Sequence, residues 1–365
     1  MNERERIFCV LNKKKPDKTP WFADLSYLYN SMEVNGALSN KFKGEEGYLE
    51  FHKDIGAGIC FYAPFPWAST YTDKIHLIVQ ENKNERISEY KTPLGSISCI
   101  EYYLSGTYSW AIKKHFVNTI EDLRIMTFIH EQTRYNQNYD NYLKIKNLWA
   151  HHGIATAMPK ISSAPLQKLL ARWAGVENTV NIYMDHSDEF ETLLNKIDES
   201  EAAVFDILCG STCEYVEFAE NLSSEVTGAT FFRKFNVPHY QKRNEQLHEA
   251  GKFTGIHIDG TLKPCLSMLS ECGFDVAEAV TPFPLGDVKI KDLRKEAGKD
   301  LIIWGGLPGV LFSPLYTEEQ FNSHLNELLE VFPPGSDFIL GVADQVPPDG
   351  LISRIKHVRE LIDRS

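Results

Sequence analysis

Eight short apolar runs alternate with stretches of helical periodicity, and this alternation limits the fold more than any other feature. The runs are residues 20–25, 58–63, 153–158, 202–208, 253–259, 276–280, 301–305 and 338–344. Between the later ones, residues 240–250, 262–272, 318–331 and 351–362 repeat apolar side chains near the spacing of an amphipathic helix. Strand–helix alternation implies parallel strands, because a parallel return needs a crossover of helical length. Eight repeats predict an α/β chain closed into a TIM (β/α)8 barrel with its active site at the strand C-termini. An open dinucleotide-binding sheet would need Gly-x-Gly-x-x-Gly after the first strand, and none is there. The chain has 365 residues, 43% of them hydrophobic, so one barrel spanning 1–365 can be filled.

Residues 85–103 break the rhythm. They read as a hairpin turning at Thr92-Pro93-Leu94-Gly95. The stretch 66–150 is therefore taken as an insertion between strands two and three, placed to cover the barrel mouth.

The formal net charge of −12 excludes nucleic acid as an expected partner, since phosphate binding needs a basic surface. Residues 1–6 are charged and lack the apolar centre of a signal peptide. No run approaches the roughly 18 apolar residues of a membrane helix, so a cytoplasmic protein is expected. The seven cysteines are an odd number in a large chain, which argues against a disulfide framework. Cys209 and Cys213 are spaced C-x3-C, but no second pair follows. They read either as buried thiols at a strand end or as half of a metal site.

Polar side chains gather at the ends of the apolar runs. Asp24 ends the first, Asp206 lies near the end of the fourth, and His257 and Asp259 end the fifth. Glu278 lies in the sixth and Asp344 ends the eighth. In a barrel these ends meet, so His257, Asp259, Glu278, Asp206 and Asp344 form the candidate catalytic set. His257 and Asp259 are alternate residues and share a strand face. With Glu278 they could ligate a metal; alternatively His257 hydrogen-bonds a neighbouring carboxylate. Glu214 and Glu217 follow the fourth run; one is read as solvated or capping, and the other is left open. Aromatic residues crowd the first third, among them Trp21, Tyr27, Tyr62, Phe65, Trp67 and Trp110. Core packing accounts for most of them, and an apolar substrate pocket is the alternative. Expected substrate contacts are Asp24, Tyr27, Tyr62, Phe65 and Trp304.

Several motifs resemble the uroporphyrinogen decarboxylase-like superfamily. They are Arg4-Glu5-Arg6, Leu11-Asn12 and Lys15 through Trp21 at the start, then Thr92-Pro93-Leu94-Gly95-Ser96 and His115 through Leu123. Gly255-Ile256-His257-Ile258-Asp259-Gly260 follows, then Pro282 through Val288, Trp304-Gly305-Gly306-Leu307-Pro308 and Leu340 through Asp349. They run in the expected order over nearly the whole chain. The resemblance implies a TIM-like barrel and one of two activities. One is cofactor-free decarboxylation of uroporphyrinogen; the other is zinc-dependent methyl transfer to or from a corrinoid carrier or a thiol. The decarboxylase branch carries Arg-Gln-Ala-Gly-Arg-Tyr after its first strand. Here Phe22-Ala23-Asp24-Leu25-Ser26-Tyr27 has no arginine, and an acidic mouth would repel a polycarboxylate. The methyltransferase branch binds zinc through His-x-Cys and a later cysteine. His257 matches, Asp259 replaces the first cysteine, and none falls near Gly306-Leu307-Pro308.

The resemblance thus leads to a methyltransferase moving a methyl group from a small methylated donor to a corrinoid supplied by a partner protein. Methoxylated aromatics are among the expected donors. Zinc or an acid at His257, Asp259 and Glu278 would polarise the leaving group. The alternatives are a metal-free decarboxylase or lyase acting on a small acid, and a non-catalytic binding barrel.

Overall fold

A computed structural model describes residues 1–61, 63–106 and 108–364. The strands are β1 (Trp21–Phe22), β2 (Trp67–Tyr71), β3 (His76–Glu81), β4 (Glu85–Thr92), β5 (Gly95–Leu104) and β6 (Ser109–Lys114). They continue with β7 (Thr133–Gln137), β8 (Tyr215–Leu222), β9 (Phe253–Ile258), β10 (Val276–Val280), β11 (Ile302–Pro308) and β12 (Phe338–Ala343). Six of them form one parallel sheet in the order β1-β12-β11-β10-β9-β8.

The second and third apolar runs contribute single bridges instead of ladders. Parallel bridges join Phe22 to Gly58, Ile59 to Gly153, Ala157 to Val216 and Ile161 to Ala219. Glycine permits this approach: a Cβ on Gly153 would lie 1.7 Å from the Ile59 carbonyl oxygen, and one on Gly58 would lie 2.5 Å from the Phe22 ring.

The fourth expected strand is wrong. Residues 202–208 belong to the helix Ala202–Gly210. Val204, Phe205 and Leu208 make its buried face, whereas Ala203 and Asp206 are exposed. A short unbroken apolar run does not reveal its period, and here the helix wins. The strand is β8, slightly later, and it is buried almost throughout.

Chemistry sits where it does because of how the interior is filled. A buried cluster takes Phe22, Cys60, Ile154, Tyr215, Val276, Trp304 and Ile339, with Phe253 packed against it. Each of the eight chain segments therefore supplies a side chain to the same layer. Ile7, Val10 and Leu11, from the helix Glu3–Leu11, join this cluster. A larger apolar shell packs the surrounding helices on the strands.

Between the second and third runs lie two antiparallel units. One is the four-stranded sheet β3-β4-β5-β6; the other is the pair β2–β7. The expected hairpin is β4–β5, with Thr92 opposite Gly95. Thr92 Oγ1 accepts from the Leu94 amide at 3.0 Å and donates to the Gly95 carbonyl at 2.9 Å. The sheet packs Ile97 against the helix Ile120–Glu131, which opens on a capping box of Thr119 and Asp122. Among the described residues, no helix is long and apolar enough to cross a membrane.

Candidate active site

Side chains alternate along a strand, so residues two or four positions beyond the packed layer face the same interior. Glu217 follows Tyr215 by two, Glu278 follows Val276 by two, and His257 follows Phe253 by four. Register then brings them together: Glu278 is the direct cross-strand partner of His257, and Glu217 is paired with Gly255. His257 Nδ1 and Glu278 Oε2 are 2.5 Å apart. The Tyr215 hydroxyl donates to Glu217 Oε2. Gly255 leaves the space they need, since a Cβ there would lie 1.8 Å from the Tyr215 oxygen and 2.7 Å from Glu217 Oε2.

The electrostatics follow from burial and carboxylate density. Glu278 and Glu217 are each 1% exposed, and the His257 side chain is 18% exposed. Burial alone would lower the His257 pKa. The Glu278 carboxylate, aided by Asp344 and Glu217, overcomes it and pushes the imidazole up to about 10. Burial first, then the charge of Glu278, holds the Glu217 carboxyl well above its usual range. Its Oε1 is buried with no partner among the described residues. Loss of water raises Asp344, with His257 opposing and Asp259 and Glu278 assisting. Tyr27 is raised by burial and then by Asp344, Asp24 and Asp259; Cys60 is raised by burial and then by Glu278, Asp24 and Glu217. These charges come from carboxylates and His257, not from Lys or Arg.

Two residues hold strained backbone here. Ala279 (φ 61°) follows Glu278 where the β10–β11 register shifts, and Asp344 (φ 71°) lies immediately after β12. Non-glycine residues in this region persist where the surroundings impose them, often at functional sites.

The structure thus brings together His257, Glu278, Asp344, Asp259, Asp24 and Tyr27. Asp259 is exposed, whereas Asp24 is 7% exposed and accepts from the Ser26 amide at 2.9 Å. Asp206 does not join them: it lies on the helix and accepts from Gln246 at 2.7 Å. Trp304 is buried in the packed layer, 5.9 Å from Phe61 and 5.5 Å from Phe22 between ring centres. Phe65 is exposed and stacks on Trp67 at 4.9 Å, beside the β2–β7 pair. Tyr62 lies outside the described residues. Of the two glutamates left open, Glu214 pairs with Arg4 at 2.6 Å and Lys146 at 3.3 Å, while Glu217 enters the site. The period-two pattern of Tyr215, Glu217 and Ala219 carried that signal; misplacing the fourth strand hid it.

His257, Asp259 and Glu278 are not arranged as a coordination set. Glu278 Oε2 is committed to Nδ1 of the ring, which leaves Nε2 as the remaining ring nitrogen. Among the described residues no three His, Cys, Asp or Glu side chains are grouped to hold a metal ion.

A sequence profile described as uroporphyrinogen decarboxylase (URO-D) matches residues 163–365, more than half of the chain. The chain belongs to the uroporphyrinogen decarboxylase family. The matched part of this family member carries β8 through β12, and with them Glu217, His257, Glu278 and Asp344. Among solved structures, a methyltransferase from Methanosarcina mazei shares its fold with a TM-score of 0.64 at 13% identity. That likeness covers 100% of this chain and 99% of the other. No curated protein matches the sequence of this family member.

Proposed function

We propose that this protein is a methyltransferase that moves a methyl group from a small methylated donor to a corrinoid held by a partner protein. The eight segments are read as one closed barrel domain, with the 66–150 stretch as an insertion beside its mouth. The observation that carries the reading is His257, kept protonated by buried Glu278 above the packed layer. Breaking a methyl–heteroatom bond leaves an electron pair on the heteroatom, and a proton delivered there makes it a better leaving group. His257 supplies that proton, and Glu278 stabilises and orients the imidazolium. The reduced corrinoid supplies the electron pair that accepts the methyl group. The product is the protonated, demethylated donor, and solvent returns the proton to His257.

The methyltransferase fold neighbour supports this reading. So does the charge of the mouth. Decarboxylation of uroporphyrinogen would place many carboxylates against Asp24, Asp259, Asp344 and Glu278, which repels them. A neutral or cationic donor meets no such barrier. The step runs through a proton and needs no zinc, although His257 Nε2 is the atom a metal would take.

The test is to mix the protein, a reduced corrinoid protein and a panel of methoxylated aromatics, methylamines and methyl thiols. At least one donor should convert the corrinoid spectrum to its methylated form. No change with any donor would sink methyl transfer. Metal analysis after purification without chelator, with and without zinc loading, runs beside it. Activity with less than stoichiometric metal is expected; activity that appears only with bound zinc would replace the proton by a Lewis acid.

A further inference from the structure

A cavity of about 490 Å³ lies apart from the His257 group. One wall is a single face of the β3–β6 sheet, and the facing wall comes from the helix Ile120–Glu131 and the turn Leu169–Trp173. The volume is within the roughly 300–1,000 Å³ of small-ligand sites. Its lining is rich in aromatic rings: Tyr90 lies 5.4 Å from Phe116 and 5.8 Å from Tyr71 between ring centres, and Trp173 also lines the space, 4.7 Å from the His130 ring.

The charge of the lining is opposite to that of the chain. The protein carries −12 overall, yet the cavity is lined by Arg86, Lys160 and Arg172 against one carboxylate, Glu101. Two of the cations have protein partners. Arg86 pairs with Glu81 at 2.6 Å and with Glu101 at 3.8 Å, and Lys160 pairs with Glu201 at 2.9 Å. The Arg172 guanidinium has no hydrogen bond or ion pair among the described residues. Its charge acts on Tyr90 and Cys99, whose own burial raises the Tyr90 phenol and pushes the Cys99 thiol up to about 11.

We infer that this cavity binds a small aromatic carboxylate, its ring between the aromatic walls and its carboxylate on the Arg172 guanidinium. A planar fork suits a carboxylate, and flat aromatic faces suit a planar body. The inference does not depend on methyl transfer, because it shares no residue with the His257 group.

Calorimetric titration of the full-length protein with benzoate and 1-naphthoate, and with their neutral amides, tests it. At least one acid should bind at least about tenfold more tightly than its amide, the size of one charge-assisted contact. Arg172→Ala should erase that preference and leave the amide unaffected. Arg172 is exposed, so the fold should survive its loss; Arg172→Lys should keep part of the preference, and added salt should weaken the acid alone. Equal binding of acid and amide would overturn the inference. So would an acid affinity unchanged in Arg172→Ala, or no binding by either acid up to about 10 mM.

Discussion

Replacing His257 by alanine removes the proton donor and leaves the Glu278 carboxylate buried without its partner. Turnover should fall roughly a hundredfold or more. The same pair makes stability depend on pH. His257 is raised in the fold from 6.5 to about 10, so its contribution is complete below about pH 6.5 and is lost as pH rises through 10. Thermal melts between those values should show wild type losing stability, and a His257→Gln, Glu278→Gln double variant should lose less. Parallel curves would mean that the pair is not charged. Glu217 is raised as well, so it too favours the fold at low pH. Burial and the charge of Glu278 favour its neutral form, which Glu217→Gln mimics, so that variant should leave the melting temperature at pH 7 unchanged or raised. Glu217→Ala strands the Tyr215 hydroxyl and should cost about 1–3 kcal/mol. A Gln variant as damaged as the Ala variant would show that an ionised Glu217 is required.

Among the elements, two glycines decide how closely strands approach. Gly153→Ala would drive a methyl into the Ile59 carbonyl, and Gly255→Ala would drive one into Tyr215 and Glu217. Either should destabilise by about 1–3 kcal/mol, read in denaturant melts. Gly255→Ala should also disturb activity, because the groups it displaces lie beside His257. Full activity in Gly255→Ala would mean that Tyr215 and Glu217 play no part. The strands from 253 onward were legible in the sequence because each apolar run was bounded by turns, and the fifth, seventh and eighth were followed by stretches of helical period. So was the β4–β5 hairpin, announced by Thr92 and Gly95. The fourth strand was not, because Ala202–Gly210 is as apolar as a strand and its helical period shows only in which residues are buried. Asp206 was lost from the site with it, and Glu217 was gained. His257, Glu278 and Asp344 needed only the rule that strand ends converge. That Glu278 would take Nδ1 of His257 required the register of β9 and β10, which no spacing within one strand reveals.

Taken whole, the molecule separates two charge environments: a carboxylate-rich mouth above a layer fed by eight segments, and an arginine-bearing cavity beside the antiparallel sheet. Asp259→Cys tests the metal question at this scale. It restores the His-x-Cys pattern and should raise zinc affinity if the mouth can close around a metal; unchanged affinity in equilibrium dialysis would remove strand β9 from any metal role. The central claim is that His257 delivers a proton during methyl transfer to a corrinoid protein. The most direct measurement is the rate of corrinoid methylation by wild type and His257→Gln across the pH range, with each variant's fold checked by its melt. Wild type should be active and slow as pH passes about 10, and the folded variant should be roughly a hundredfold slower. A variant as fast as wild type, or a wild-type rate that rises through that pH, would contradict it.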